Sequence, residues 1–323
     1  MIDGVMNKIK DNIELSKEDA ICLLNIDNQS DDFYKLISTS NSMSRTQYQN
    51  NGYIFAQIGI NTSPCSGNCK FCSLAENNYS VDEQPEKSLD EIISQAKMIA
   101  GEDVEALFLM TTADFDKNKL LSIGEAVRAT LPTNVKLVAN TGDFDAAYAE
   151  EMKSAGFSGA YHIVRLREGE DTDITAETRV ATLDAIKAAR LDLYYCIEPI
   201  GKEHTYDEIA DEMMRAREYN VDVMAIMGRV GVKGTQYEDI APLSEIELTK
   251  IAAVTRIVTN PKKSMCIHEP KKMALLAGVN QLYAEYGGNP RDNNSSTENS
   301  RGFNIEDAKN LLREAEYAFQ SEG

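Results

Sequence analysis

The 323-residue sequence predicts an α/β fold, a (βα)8 barrel of the TIM type with an N-terminal helical cap and a C-terminal helix. Three observations carry this. Past residue 50, short β-rich apolar runs alternate with longer amphipathic segments, the mark of βα units feeding a parallel sheet. The alternation repeats about eight times, the number that closes a barrel. The length suits a single unit, since α/β barrels routinely exceed roughly 200 residues as one domain.

Residues 1–50 read as the helical cap: Ser16 can cap a helix over Lys17 to Leu24, and a second helix is expected near Asp31 to Ile37. The barrel is assigned to residues 51–290. Its strands are expected at Ile54 to Asn61, Ala106 to Met110, Lys136 to Asn140, Gly159 to Arg165, Leu193 to Ile200, Val221 to Met227, Ser264 to Glu269 and Gln281 to Tyr286. Helical patterns lie between them at Ser88 to Ala100, Leu120 to Leu131, Ala146 to Ala155, Ala176 to Ala189, Tyr206 to Tyr219, Ser244 to Val258 and Lys271 to Ala277. Ser88 with Glu91, and Ser244 with Glu247, form capping-box patterns. Residues 291–323 form the C-terminal part: the Gly-, Asn- and Ser-rich stretch Gly287 to Gly302 reads as a loop, and Ile305 to Phe319 as a closing helix.

Composition narrows the function classes. Lys plus Arg number 33 against 52 Asp plus Glu, a net charge of −19, which argues against a nucleic-acid partner because phosphate binding needs cationic neutralisation. No stretch approaches the ~18 uninterrupted apolar residues of a membrane span, and the start lacks a basic region followed by an apolar core. A cytoplasmic protein is expected. Six cysteines, three of them crowded into one loop, suit reduced thiols better than a secreted disulfide framework.

That loop directly follows the first strand, at the strand end where barrel enzymes place their chemistry. Cys65, Cys69 and Cys72 are spaced C-x3-C-x2-C, with Phe71 just before the last. Three thiolates can hold three irons of a [4Fe–4S] cluster and leave the fourth iron open, whereas iron-sulfur centres usually use four cysteines. Zinc is the competing reading, but zinc sites with a C-x2-C pair usually supply a second pair, and none exists here.

The motif resembles that of the radical S-adenosylmethionine (SAM) superfamily, and most of residues 15–320 is similar to its biotin-synthase-like branch, with the hydrogenase-maturation enzymes and methylornithine synthase. The resemblance implies a [4Fe–4S] cluster on Cys65, Cys69 and Cys72 that chelates S-adenosyl-L-methionine through its open iron. An electron would then split SAM to a 5'-deoxyadenosyl radical. It also implies an enzyme with a small-molecule substrate and an electron donor such as flavodoxin or ferredoxin. Glu198 to Thr205 stands where the family has a turn beside the adenine, which assigns Ile200 and Gly201 to cofactor contact; Val232 to Asp239 resembles the family's Gly-Thr-Pro-Leu segment. Thr111 and Thr112 occupy the place of the family's Gly-Gly-Glu segment and can accept the same hydrogen bonds. Arg179 resembles the arginine that pairs with the SAM carboxylate, a role its planar fork suits. Asn140 and Arg165, at the ends of strands three and four, are candidates for ribose or substrate contacts.

Strand side chains alternate, so Cys196 shares a face with Glu198, Cys266 with His268, and Tyr283 with Glu285. The more apolar faces should meet the helices, which turns Cys196, Glu198, Cys266 and His268 into the barrel. Buried charge or imidazole there needs a partner or ligand. Three readings stay open: a substrate pocket, an auxiliary iron-sulfur cluster such as the resemblance to biotin synthase suggests, or buried thiols behaving as small hydrophobes beside a polar pair. Hydrogen abstraction in cofactor or unusual amino-acid biosynthesis is the expected function. An iron-sulfur or SAM-binding scaffold without substrate turnover, and a zinc-dependent barrel hydrolase, are the alternatives.

Overall fold

A computed structural model describes residues 2–81, 86–269, 271–293 and 303–319. Three helices precede the barrel: α1 (Ile2–Lys10), α2 (Lys17–Leu24) and α3 (Asp31–Gln47). Ser16 caps α2 in a reciprocal box with Asp19, and Ser30 caps α3 through the Phe33 amide, which satisfies N-terminal amides that have no partner within the helix. Helix α1 was not expected from the sequence, and α3 runs ten residues past the anticipated Ile37, since its later turns bury Ser40 and Ser44 against the barrel. Ser40 donates to the Ala277 carbonyl at 2.6 Å, and Arg256 donates to Ser44 at 2.7 Å.

The barrel strands are β1 (Tyr53–Gly59), β2 (Ala106–Met110), β3 (Lys136–Asn140), β4 (Gly159–Tyr161), β5 (Asp192–Ile200), β6 (Val223–Gly228), β7 (Ser264–His268) and β8 (Gln281–Tyr286). Each pairs in parallel with the next, and β8 closes onto β1. The connecting helices are α4 (Leu89–Ala100), α5 (Lys117–Arg128), α6 (Ala146–Ser154), α7 (Ala176–Ala189), α8 (Tyr206–Glu218), α9 (Glu245–Thr259) and the short α10 (Lys272–Leu275). The (βα)8 barrel expected from the alternation is the fold observed.

Strand β4 stops at Tyr161 rather than Arg165 because its neighbour β3 ends at Asn140. Beyond that point only β5 remains as a partner, and His162 and Leu166 donate to the Tyr194 and Glu198 carbonyls at 3.1 Å each. The final helix α11 (Ile305–Glu314) also ends early. Glu316 adopts φ 60°, and Ala318 then pairs with Asn51 at the foot of β1. Of the expected loop Gly287 to Gly302, residues 294–302 lie outside the described residues.

Two apolar layers hold the barrel. The larger packs the outward strand faces against the helices, with Leu107, Leu109, Ile197, Ile226 and Ile267 all fully buried. The smaller plugs the lumen: Phe55, Phe108, Val138, Tyr194, Val223 and Tyr283 interlock, with Phe108 and Tyr194 ring centroids 5.1 Å apart. Burying each large side chain contributes about 1.5–3 kcal/mol, so the plug makes an apolar floor. Above it the lumen turns polar. Two glycines let the loops at that end approach closely: a Cβ on Gly59 would lie 2.3 Å from the Gly288 carbonyl oxygen, and one on Gly142 2.2 Å from that of Ala113. Among the described residues, no helix is long and apolar enough to cross a membrane.

Candidate active site

The cysteine loop is anchored by residues other than its cysteines. Where β1 ends, Asn61 exchanges two hydrogen bonds with Thr112 after β2, at 2.9 and 3.0 Å. Within the loop the Cys65 amide donates to Leu74 O at 2.8 Å and the Cys72 amide to Cys69 O at 3.1 Å. Ser66 is held by the Asp114 carboxylate at 2.6 Å. Lys70 pairs with Asp171 at 2.9 Å, and the Asp173 amide donates to Gly67 O at 2.9 Å, which fastens the loop to the segment after β4.

All three thiols are free, and burial pushes those of Cys69 and Cys72 up. Bound cationic metal reverses that preference, since a coordinating thiol is deprotonated outright. Their spread separates one ion from a cluster. Thiolates on a single zinc lie about 3.8 Å apart, given Zn–S bonds of about 2.3 Å. Among the described residues, the group of three metal-ligating side chains whose ligand atoms all fall within 4.8 Å of one another is Cys196, Glu198 and His268, and the loop thiols do not form such a group. They fit corners of a cluster better than ligands of one ion.

Beside the loop lies a rim of buried charge. Arg179, on α7, meets Asp143 at 3.1 Å and Glu168 at 3.3 Å. Arg165 approaches Glu168 at 3.8 Å and Glu198 at 3.9 Å. Glu168 is itself fixed by the Arg165 amide at 2.8 Å and the Thr172 hydroxyl at 2.7 Å. Two guanidinium atoms nevertheless lack a hydrogen-bond partner while fully buried, Arg165 Nη1 and Arg179 Nε. Burial, and then the like charge of Arg165, lower the Arg179 pKa. Both atoms still face the Glu168 carboxylate, Arg179 Nε at 3.3 Å and Arg165 Nη1 at 3.8 Å, outside hydrogen-bond geometry. Their unfilled hydrogen-bond capacity suits a carboxylate-bearing ligand in the cavity beside the cysteine loop, so the residues fit a cluster with SAM chelated to it.

The rim opens into a cavity of about 910 Å³, its mouth included, lined by the three cysteines, Thr111, Thr112, Asn140, Arg165, Arg179, Glu198 and His268 among others. Inside, Tyr161 donates to Glu198 Oε2 at 2.8 Å, and His268 packs between the Tyr161 and Tyr283 rings at centroid distances of 5.7 and 5.0 Å. Burial, and then the Arg291 charge, lower the His268 pKa to about 3, so its ring is neutral at pH 7. Gln57 accepts from Tyr283 at 2.6 Å and from Asn140 at 3.2 Å. Arg291 bridges Glu269 at 2.7 Å and Glu285.

The expected parity is observed: Cys196 lies 3.8 Å from His268, whereas Tyr195 on the opposite face reaches Glu212 of α8 at 2.5 Å. Cys196 and Cys266 are fully buried behind the cavity wall. Ile200 and Gly201 do not line the cavity; Ile200 pairs with Gly228 of β6, and the Gly201 amide donates to His204 at 3.1 Å. Gln57 and Tyr161 escaped sequence reasoning although the same two-residue parity reaches them. Asp143, His162, Glu168 and Arg291 carried no local signal, because loops bring them together from separate βα units.

No protein-family model matches the chain. The sequence is similar to biotin synthase of Clostridioides difficile (strain 630), 28% identical over 265 residues covering 78% of this chain and 80% of that protein. It is also similar to biotin synthase of Acetivibrio thermocellus, 27% identical over 239 residues, 70% of this chain and 74% of that one. In fold it resembles methylornithine synthase (PylB), TM-score 0.82 at 16% identity, covering 97% and 95% of the two chains. The FeFe-hydrogenase maturase HydG from Carboxydothermus hydrogenoformans gives TM-score 0.83 at 16% identity over 98% of this chain and 79% of that one. With a C-x3-C-x2-C loop at the mouth of such a barrel and biotin synthases among its sequence relatives, the chain is similar to the biotin-synthase-like branch of the radical SAM superfamily.

Proposed function

We propose that the protein cleaves SAM reductively at a [4Fe–4S] cluster on Cys65, Cys69 and Cys72 and takes hydrogen from a small molecule held in the barrel lumen. The cluster and SAM are the family's cofactors, and bound here they would supply a 5'-deoxyadenosyl radical. The observation that carries the proposal is that three free thiols and two arginines with unfilled hydrogen-bond capacity, Arg165 and Arg179, line one cavity.

Each remaining task falls to residues of the chain. Arg165 and Arg179 would hold the SAM carboxylate, while Thr111 and Thr112, fixed by Thr141 at 2.8 Å and by Asn61, stand where the amino group needs acceptors. Asn140 is oriented toward the lumen by Gln57. Deeper in, Glu198 is a carboxylate aimed by Tyr161, and neutral His268 can donate or accept one hydrogen bond without adding charge. These two would orient a polar, hydrogen-bonding substrate. The aromatic floor closes the lumen below and keeps water from a reactive intermediate.

A role in cofactor or unusual amino-acid biosynthesis, with flavodoxin or ferredoxin as electron donor, follows the character of the branch. Rearrangement or fragmentation fits better than sulfur insertion, because the close ligand group in the lumen includes one thiol rather than several. The test is anaerobic incubation of reduced, cluster-loaded protein with SAM and small-molecule extract. Substrate-dependent 5'-deoxyadenosine is expected; release no greater than from a variant lacking all three loop cysteines would overturn the proposal.

A further inference from the structure

We propose that Cys196, Glu198 and His268 form a site for a single Zn²⁺ ion in the lumen wall, with its fourth coordination position open to the cavity. Cys196 and Glu198 lie two residues apart on β5, and His268 ends β7, with β6 between them. Ala225 of β6 stands in register with both Cys196 and Cys266, so only a methyl group fills the wall at that level.

The distances suit an ion. Ligands at the usual Zn–S, Zn–N and Zn–O lengths of about 2.0–2.3 Å lie about 3.3–3.8 Å apart around a tetrahedral metal. Here Cys196 Sγ is 3.8 Å and Glu198 Oε2 4.0 Å from His268 Nδ1, and all three atoms fall within 4.8 Å of one another. Among the described residues, His268 Nδ1 meets Cys196 Sγ at the length of a weak sulfur hydrogen bond and Glu198 Oε2 at 4.0 Å, too long for one, so an ion between the three would use all of their donor atoms. All three side chains are buried.

The donor set selects the metal. One thiolate, one imidazole and one carboxylate suit a borderline ion such as Zn²⁺, not the oxygen-seeking Mg²⁺ or Ca²⁺. Tyr161 donates to the Glu198 oxygen that faces His268, the outer hydrogen bond that typically orients a metal-bound carboxylate. Three protein ligands and one open position are the pattern of reactive rather than structural zinc. Glu198 and His268 line the cavity, so the open position would take a thiol, amine or carboxylate of a molecule bound there.

Zinc content tests this independently of SAM chemistry. In the full chain with Cys65, Cys69 and Cys72 all replaced by Ala, one Zn²⁺ per chain should survive dialysis. Cys196→Ala, Glu198→Gln or His268→Ala added to that background should each weaken Zn²⁺ binding at least tenfold, roughly the lower bound for losing even an outer partner. Cys266→Ala should change nothing. Co²⁺ in place of Zn²⁺ should show a thiolate charge-transfer band that Cys196→Ala removes. Should the triple variant fail to fold, the cluster-loaded wild type answers the same question: His268→Ala should lose zinc and keep its iron. Absence of zinc from both proteins, equal zinc after each ligand change, or labile sulfide retained by the triple variant would each overturn the site.

Discussion

The cysteine loop and the lumen trio place ligand-type side chains around one cavity, with Cys196 just behind its wall, yet the chain holds them in opposite ways. Cys65, Cys69 and Cys72 sit on a loop pinned by Asn61, Ser66, Lys70 and Asp173, so their spacing in sequence translates directly into three spread corners. Cys196, Glu198 and His268 sit on two strands separated by a third, and their closeness comes from register and closure of the barrel. A loop motif sets what binds at the mouth. Strand parity sets what can be gripped below it. Cofactor chemistry and substrate chemistry should therefore separate by mutation.

The largest effect belongs to the mouth. Replacing Cys65, Cys69 and Cys72 together with Ala should abolish the [4Fe–4S] cluster and with it all SAM cleavage; iron analysis showing full retention would falsify the assignment. The next belongs to the lumen. Glu198→Gln and His268→Ala should keep cluster iron and slow background SAM cleavage while cutting substrate-dependent turnover by at least about 100-fold, the lower range for a group acting directly on the reaction. Were both variants as active as wild type, the trio would be structural and the substrate would lie elsewhere.

The same contrast explains what could be read in advance. The eight alternations specified the barrel because βα periodicity is local, and the mouth thiols stood out because three cysteines fell within eight residues. The lumen was half legible: parity on β5 and β7 found Cys196, Glu198, Cys266 and His268, and the same rule reaches Tyr161 and Gln57. The rim was largely illegible. Arg179 was recognised by its likeness to a family arginine, but its partners Asp143 and Glu168 come from different loops, and no period in the sequence links residues 143, 168 and 179. Ile200 and Gly201 were read from a turn motif, yet that turn folds toward His204.

The rim supplies the smaller tests. Arg179→Ala should leave the cluster in place and weaken SAM binding by about 1.5–3 kcal/mol, the range for a hydrogen bond to a charged group. Because Asp143 and Glu168 then lose a buried partner, a fall in stability should accompany it. Calorimetry showing unchanged SAM affinity beside lowered stability would confine Arg179 to holding the rim together.

Asp143 tests whether that rim is organised before any cofactor arrives. Burial alone would raise its pKa, but His162 and Arg179 beside it outweigh burial and hold it at about 2, below the ordinary 3.8. A carboxylate whose folded pKa is depressed binds fewer protons in the folded than in the unfolded chain, so its contribution is complete above about pH 4 and lost as pH falls toward 2. The shift corresponds to ~2 kcal/mol. Asp143→Asn removes the titration, so denaturant unfolding at pH 5 and at pH 3 should show wild type losing more stability than the variant over that interval. Identical pH slopes in the two proteins would mean that the Asp143–Arg179 pair forms only when ligand fills the mouth, and the rim would then be assembled by its cofactor.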